Sequence, residues 1–267
     1  MAKILVTGFD AFGGEEVNPA SRAVEHLAAS VVGARDGVEV ITLEIPTVYG
    51  ASARAVQEAI GQCFPQAVIC VGQAGGTTGM RVERVALNLD DARIPDNLGN
   101  KPSDRPIAPG GPVAYWATIP VRDVVEAIEA EGIPAFLSYS AGTFVCNHVF
   151  YSTCHFVATN SLPVQVGFIH VPYLPEQVVE KSQIPSMSQE CITTGLEAAI
   201  KAVAASLGSL DSRLMCLAGR VRKWKGSPDL CRTNAISTTV GRSYDEEDSC
   251  LLRAGLRRMP GLPCNSS

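Results

Sequence analysis

The stretch IPAFLSYSAGTFVCNH, residues 133–148, joins a short apolar run to the start of a helix. Residues 133–137 are typical of a buried strand, and residues 145–157 have the length and composition of a helix. Cys146 therefore falls in the first turn of the predicted helix, where free backbone N–H groups and the helix dipole stabilise negative charge. We expect this thiol to ionise readily and to act as a nucleophile. A buried structural cysteine is the alternative.

Segments typical of strands and helices alternate on both sides of this stretch. Strands are predicted at residues 3–9, 38–45, 67–72, 81–89, 113–119, 133–138 and 164–170. Helices are predicted at residues 19–30, 50–61, 122–131, 145–157 and 188–207. The alternation predicts a single α/β/α domain, with a mostly parallel twisted sheet covered by helices on both faces. Functional groups in such sheets gather at the carboxyl ends of the strands.

The last sixty residues differ in composition from the rest of the chain. Residues 1–207 carry 12 basic and 21 acidic side chains, a net charge of −9, whereas residues 208–267 carry 10 and 6, a net charge of +4. Leu, Ile, Val and Phe supply 11 of these last 60 residues, below the roughly 20% typical of segments that fold alone. We therefore predict one domain over residues 1–207 and a disordered or loosely packed extension over residues 208–267.

Composition also argues against several classes of protein. No run of apolar residues approaches the length of a membrane span. The nine cysteines are odd in number and lack a CxxC pair, so neither a disulfide framework nor a zinc site is predicted. The net charge of −5 gives no reason to expect nucleic acid or a membrane as a partner. The N-terminus lacks the pattern of a signal peptide, so we expect a cytoplasmic protein.

A cysteine nucleophile needs a base beside the thiol, and the chain has four histidines. His148 lies about 200° around the helix from Cys146, and His155 lies more than two turns further along, so neither is expected to face the thiol. His26 falls inside the first predicted helix. His170 ends an apolar strand and is therefore the preferred base, with a structural histidine as the alternative.

Several carboxylates compete for the role of orienting this histidine. Glu83 lies in an alternating strand, and its competitors are Asp10, Asp90 and Asp91. An exposed glutamate paired with Arg81 or Arg84 is compatible with the same pattern, so the residues alone leave this choice open.

A glycine-rich loop at residues 72–79 follows the third predicted strand. It could hold phosphate, as in an enzyme similar to nucleoside phosphorylases. However, it lacks GxGxxG, a GKS or GKT ending and clustered basic groups. The close approach of a substrate or a partner chain explains its glycines equally well.

Blocks of sequence in a fixed order carry a resemblance to a known family. They are TGFDAFGG and NP (7–14, 18–19), GQAG and ERVALN (72–75, 83–88), SAGTFVCN (140–147) and GFIHVP (167–172). Together they resemble the pyroglutamyl peptidase I family, or pyrrolidone-carboxylate peptidases, over about residues 3–205. Two departures are visible: Ala11 stands in place of a usual proline, and Met80-Arg81 in place of an aliphatic residue followed by Ser or Thr. Residues 208–267 have no counterpart in the resemblance.

The resemblance implies a cysteine peptidase that removes an N-terminal pyroglutamyl residue from peptides through a thioester, without metal or other cofactor. It implies a catalytic triad of Cys146 as nucleophile, His170 as base and then acid, and Glu83 to orient His170. It also implies a homo-oligomer, which in this family is often a tetramer. The alternative is a catalytically impaired member that only binds pyroglutamyl ligands or assembles with other proteins, because the extension disrupts its packing.

The substrate implied by the resemblance contains a neutral lactam ring, which suits an apolar pocket with one donor and one acceptor. The predicted pocket residues are Phe9, Phe12, Asn18, Gln73, Arg93, Phe144 and Val145. Phe9 and Phe12 are expected to sandwich the ring, with ordinary core packing as the alternative. Arg93 is expected near the scissile carbonyl, with a salt bridge to Asp90 or Asp91 as the alternative.

Overall fold

The computed structural model describes residues 2–29 and 37–219, with side chains for residues 2–28 and 37–208. Its elements are β1 (Ala2–Phe9), α1 (Pro19–Ala29), β2 (Val38–Ile45), α2 (Ala51–Cys63), β3 (Ala67–Gln73), β4 (Met80–Glu83), β5 (Val85–Leu87), β6 (Ala114–Trp116), α3 (Val121–Ala130), β7 (Ala135–Ser138), α4 (Val145–Thr159), β8 (Gln165–Val171), a 3₁₀ turn (Pro175–Val178) and α5 (Gln189–Gly219).

Six strands form the main sheet, in the order β2-β1-β3-β8-β4-β7. Neighbouring strands are parallel throughout, except that β4 runs antiparallel to β8. The central strands β1, β3 and β8 are buried almost along their whole length, as their unbroken apolar sequences require. The predicted α/β fold with a mostly parallel sheet is confirmed.

Helices cover both faces of this sheet, and alternate residues of each strand face opposite cores. On one face Ile4 and Ile69 pack with α1, α3 and α5. On the other face Leu5 and Phe168 pack with α2 and α4. Because His170 follows Phe168 by two positions on β8, it faces the same side as α4, the helix that carries Cys146.

The segment predicted as one strand at residues 81–89 forms two short strands in different sheets. β4 joins the main sheet, whereas β5 pairs with β6 in a separate antiparallel ladder. Arg84 lies between them; its N–H bonds the carbonyl of Ser138 at 2.7 Å and its carbonyl accepts from Ala117 at 2.9 Å. Glu83 and Arg84 are consecutive polar residues, so the phase of the alternation shifts where the strand changes its partner. The prediction of a single strand over residues 81–89 overlooked this shift.

The last helix, α5, extends past the predicted end at residue 207. Its segment Gln189–Gly208 is long and apolar enough to span a membrane, with a mean hydropathy of 1.2. However, Ile192, Leu196 and Val203 are fully or almost fully buried in the core against α1 and α3. α5 is therefore a core helix of this domain. The domain boundary at residue 207 and the disordered or loosely packed extension over residues 208–267 remain predictions; residues 208–219 belong to α5, and residues 220–267 lie outside the described residues.

A buried thiol in β3 gives a prediction for stability at alkaline pH. Cys70 is fully buried, and burial raises the pKa of its thiol from 9.0 to about 11. Between pH 9 and 11 the unfolded chain loses this proton while the folded chain keeps it, so stability falls with rising pH by about 2–3 kcal/mol. Cys70→Ala lacks this contribution. The difference in free energy of unfolding between wild type and variant should therefore shrink over this range in urea titrations.

Cys191→Ala is the matched control for this measurement, because Cys191 is exposed. Its difference from wild type over the same pH range is the baseline for the measurement. A difference for Cys70→Ala that stays constant from pH 8 to 11 would contradict the prediction.

Candidate active site

Strands β4 and β8 bring Glu83 and His170 together. Arg81 stands opposite His170 in the antiparallel ladder, and Glu83 lies two positions further along the same face. Nδ1 of His170 lies 2.8 Å from Oε1 of Glu83. His170 is 5% exposed and Glu83 is fully buried. A carboxylate can only accept, so this contact assigns the proton to Nδ1 and leaves Nε2 of His170 able to take another proton.

Cys146 is the second residue of α4, whose N-cap is Phe144. The N–H groups of the first helical turn have no intrahelical acceptor, and Phe144 gives no side-chain capping bond that would satisfy them. On the sheet side the thiol lies against Gly72, where a Cβ atom would come within 3.0 Å of Sγ. Gly72 pairs with His170 in the parallel β3–β8 ladder. The absence of a side chain at Gly72 thus lets the thiol sit beside the strand that carries the base.

The surroundings of Cys146 keep its thiol protonated at neutral pH. Burial, and after it the negative charge of Glu83, raise the pKa of Cys146 to about 12. Its own backbone N–H acts in the opposite direction, as the helix terminus predicts, but has a smaller effect. The expectation of a readily ionised thiol is therefore wrong for this free site. The thiol needs a base to accept its proton when it attacks, and His170 is the base available.

A cavity of about 830 Å³ opens over the thiol and has both Cys146 and His170 in its lining. Four of the predicted pocket residues line it: Phe12, Gln73, Arg93 and Phe144. The rings of Phe12 and Phe144 lie 5.9 Å apart, and Gln73 accepts a hydrogen bond from Nε2 of Gln177 at 2.9 Å. The cavity thus combines an aromatic wall with a fixed amide group.

The other three predicted pocket residues lie in the packed interior and do not belong to the lining described for this cavity. Phe9 is 1% exposed and packs against Phe168, with ring centroids 6.4 Å apart. Asn18 caps α1, accepting from the N–H of Ala20 at 3.0 Å. Val145 is fully buried in the core. Phe9 therefore follows the core-packing alternative, and a direct contact of these three residues with substrate remains a prediction.

Several cavity residues were not predicted from the sequence. Tyr173, Lys181 and Ile184 lie on the segment between β8 and α5, and Glu15 lies on the loop after β1. Lys181 forms an ion pair with Glu15, and its Nζ lies 4.7 Å from the centre of the Tyr173 ring. The segment between β8 and α5 has no periodic pattern, so only the nearness of Tyr173 to His170 in the sequence could have indicated it.

His148 and His155 contact other residues and do not belong to the lining described for the cavity. Nδ1 of His148 lies 2.9 Å from Asp90, and its Nε2 accepts from the N–H of Gly50 at 3.1 Å. Nδ1 of His155 lies 2.9 Å from the hydroxyl of Tyr115. Asp90, one competitor for the role of Glu83, is therefore the partner of a different histidine.

The close contact at Gly72 gives a testable prediction. A Cβ atom at this position would lie 2.9 Å from Cζ of Phe168 and 3.0 Å from Sγ of Cys146, so these side chains must shift. We expect Gly72→Ala to lower kcat by about 10- to 100-fold, because small displacements of a nucleophile have effects of that size. The measurement is steady-state turnover of a chromogenic amide substrate.

Gly61→Ala is the control, since nothing lies within 4 Å of a Cβ atom at Gly61 in α2. It should leave kcat unchanged and stabilise the helix by about 0.5–1 kcal/mol. Equal kcat values for wild type and Gly72→Ala would show that the thiol position tolerates the added methyl group.

Comparison with known proteins agrees with this geometry. Residues 2–206 match the sequence model of the family described as pyroglutamyl peptidase. The chain belongs to this family. Pyrrolidone-carboxylate peptidase 1 of Caldanaerobacter subterraneus is 49% identical over 201 residues, which are 75% of this chain and 97% of the relative. The pyrrolidone-carboxylate peptidase of Levilactobacillus brevis is 50% identical, with the same coverage.

Solved structures show the same relationship. Pyroglutamyl peptidase I of Bacillus amyloliquefaciens superposes with a TM-score of 0.73 at 46% identity, over 77% of this chain and 98% of the other. A mutant pyrrolidone carboxyl peptidase of Pyrococcus furiosus gives 0.72 at 40% identity, over 77% and 99%. The resemblance inferred from the sequence blocks is confirmed, and the chain is an enzyme of the cysteine peptidase class.

Proposed function

We propose that this peptidase hydrolyses the amide bond after an N-terminal pyroglutamyl residue, using Cys146, His170 and Glu83 as its catalytic triad. One observation carries the assignment of the triad. The buried Glu83–His170 hydrogen bond of 2.8 Å lies beside a cavity whose lining includes the thiol of Cys146. The names of the relatives support the choice of substrate.

The proposed reaction begins with proton transfer from the Cys146 thiol to Nε2 of His170 as sulfur attacks the pyroglutamyl carbonyl carbon. The carbonyl oxygen becomes an oxyanion, which the free N–H groups of the first turn of α4 can bind. His170 then gives its proton to the leaving amine, and the C–N bond breaks to leave a thioester. Water, deprotonated by His170, hydrolyses the thioester and returns the thiol. Arg93, exposed at the cavity, would stabilise negative charge on the carbonyl oxygen.

The pocket residues support the proposal of a substrate with a blocked N-terminus. Phe12 and Phe144 provide apolar surface for the lactam ring. Because the Oε1 atom of Gln73 accepts from Gln177, the NH₂ group of Gln73 is the part offered to the lactam carbonyl. A free N-terminal ammonium would lose its hydration against the aromatic wall, so an unblocked glutaminyl peptide should be a poor substrate.

Hydrolysis of pyroglutamyl, glutaminyl and prolyl aminocoumarin amides by the full-length protein tests this function. We expect turnover of the pyroglutamyl amide alone. With a pyroglutamyl peptide as substrate, mass spectrometry should detect free pyroglutamate and the shortened peptide. If the folded protein shows no turnover but binds pyroglutamyl peptides in calorimetry, the alternative of a protein that only binds pyroglutamyl ligands is favoured. The cytoplasmic location and the tetramer remain predictions, and sedimentation would test the latter.

A further inference from the structure

We propose that Arg81 is a positioning residue that sets the acid limit of the reaction by holding the Glu83–His170 pair in its base-competent state. The proposal rests on the triad proposed above, and it extends it to a cation that the triad does not include.

The geometry places a guanidinium directly against the carboxylate. Nε of Arg81 lies 3.4 Å from Oε1 of Glu83, the same oxygen that contacts His170. This contact is an ion pair, since Nε of Arg81 has no hydrogen-bond partner among the described residues. Two hydrogen bonds fix the guanidinium, from Nη2 to Oγ of Ser138 at 2.8 Å and to the carbonyl of Ser140 at 3.0 Å. The Arg81 side chain is 29% exposed and the Glu83 side chain is fully buried, so solvent screens this contact only in part.

The charge of the pair decides what this cation does. When His170 can accept a proton from Cys146, the Glu83–His170 pair carries one negative charge. One more proton, on either residue, makes the pair neutral and removes the base. A fixed positive charge stabilises the negative state over the neutral state, so Arg81 shifts the loss of the base to lower pH. Within the described residues, the buried Oε2 atom of Glu83 has no hydrogen-bond partner, which increases the dependence on this cation.

Other ionisable groups face the pair from several elements, and the substitution leaves them all in place. Cys146 of α4 interacts electrostatically with Glu83, and Cys70 of β3 interacts with Cys146; both thiols are neutral at neutral pH. The charged or ionisable groups in the cavity lining are Glu15, Asp91, Arg93, Tyr173 and Lys181. A change in pH dependence on replacing Arg81 therefore reports the guanidinium itself.

The test is the pH profile of kcat/KM for a pyroglutamyl amide, with Arg81→Met, Arg81→Gln and Arg81→Lys beside the wild type. We expect the midpoint of the acidic limb to rise by about one pH unit in the Met and Gln variants. Arg81→Lys keeps the charge, so its midpoint should stay close to that of the wild type. Arg81→Gln retains a donor for Ser138 and Ser140, which separates the loss of charge from the loss of these hydrogen bonds.

Arg84→Met is the matched control, because the guanidinium of Arg84 lies 5.4 Å from the centre of the Trp116 ring and has no described contact with the side chain of Glu83 or His170. Its acidic limb should coincide with that of the wild type. The rate of Cys146 alkylation by iodoacetamide, followed over the same pH range, gives a second readout that needs no turnover. A shifted alkylation profile without hydrolysis would support the role of Arg81 while contradicting the proposed function. If the acidic limbs of the pH profiles of Arg81→Met and Arg81→Gln coincide with that of the wild type, the proposed role of Arg81 is overturned, even if the maximal rates of these variants fall.

Discussion

Cys146→Ser should lower kcat/KM for a pyroglutamyl amide by about 10⁴- to 10⁶-fold, the usual loss when a catalytic nucleophile is removed. The hydroxyl is a much weaker nucleophile than a thiol, and its proton is harder for His170 to accept. The substitution changes one atom in a cavity of about 830 Å³, so the pocket should keep its shape. Steady-state kinetics with enough enzyme to detect the residual rate would measure this loss.

Cys191→Ser serves as the control, because Cys191 is exposed at the start of α5. Its kinetic constants should equal those of the wild type. Calorimetry with free pyroglutamate should show similar affinities for wild type and Cys146→Ser, since the pocket is retained. Retained turnover in Cys146→Ser would rule out the thiol as the nucleophile and direct attention to another group in the cavity.

The sequence was sufficient for the parts of the site that follow from local structure. The apolar run and helix around residues 133–157 placed Cys146 in the first turn of a helix, and the structure has α4 begin one residue before it. His170 could be chosen by eliminating His148 and His155, whose partners in the structure are Asp90 and Tyr115. Helical phase and strand ends are short-range properties, so one sequence carries them.

The remaining features depend on how distant segments meet. The choice of Glu83 among the carboxylates rested on resemblance, because only the antiparallel β4–β8 pairing puts it next to His170. The direction of the Cys146 pKa was also missed, since desolvation by the surrounding core exceeds the effect of the helix terminus. Likewise, Phe9 precedes the pocket loop in sequence but packs into the core against Phe168. Sequence proximity to a site does not determine on which face a side chain is buried.

The second large effect is expected for Glu83→Gln, which should lower kcat by about 10³-fold with little change in KM. Glutamine has nearly the same shape, and its amide oxygen can take the position of Oε1, within reach of both Arg81 and His170. The hydrogen bond to Nδ1 then survives, but the negative charge that stabilises the imidazolium formed during attack is lost. Glu83→Asp retains the charge at a longer distance and should recover part of the rate.

Asp90→Asn is a control of the same chemistry, because Asp90 forms an equally close contact with His148 outside the cavity lining. Loss of the negative charge beside His148 should lower the free energy of unfolding by about 1–3 kcal/mol, while kcat stays within about tenfold of the wild type. If both substitutions slowed turnover equally, a general loss of packing would explain the result better than a role of Glu83 in proton transfer. A large kinetic effect confined to Glu83→Gln, with unfolding midpoints similar for both variants, would instead establish that the charge on Glu83 acts on the reaction.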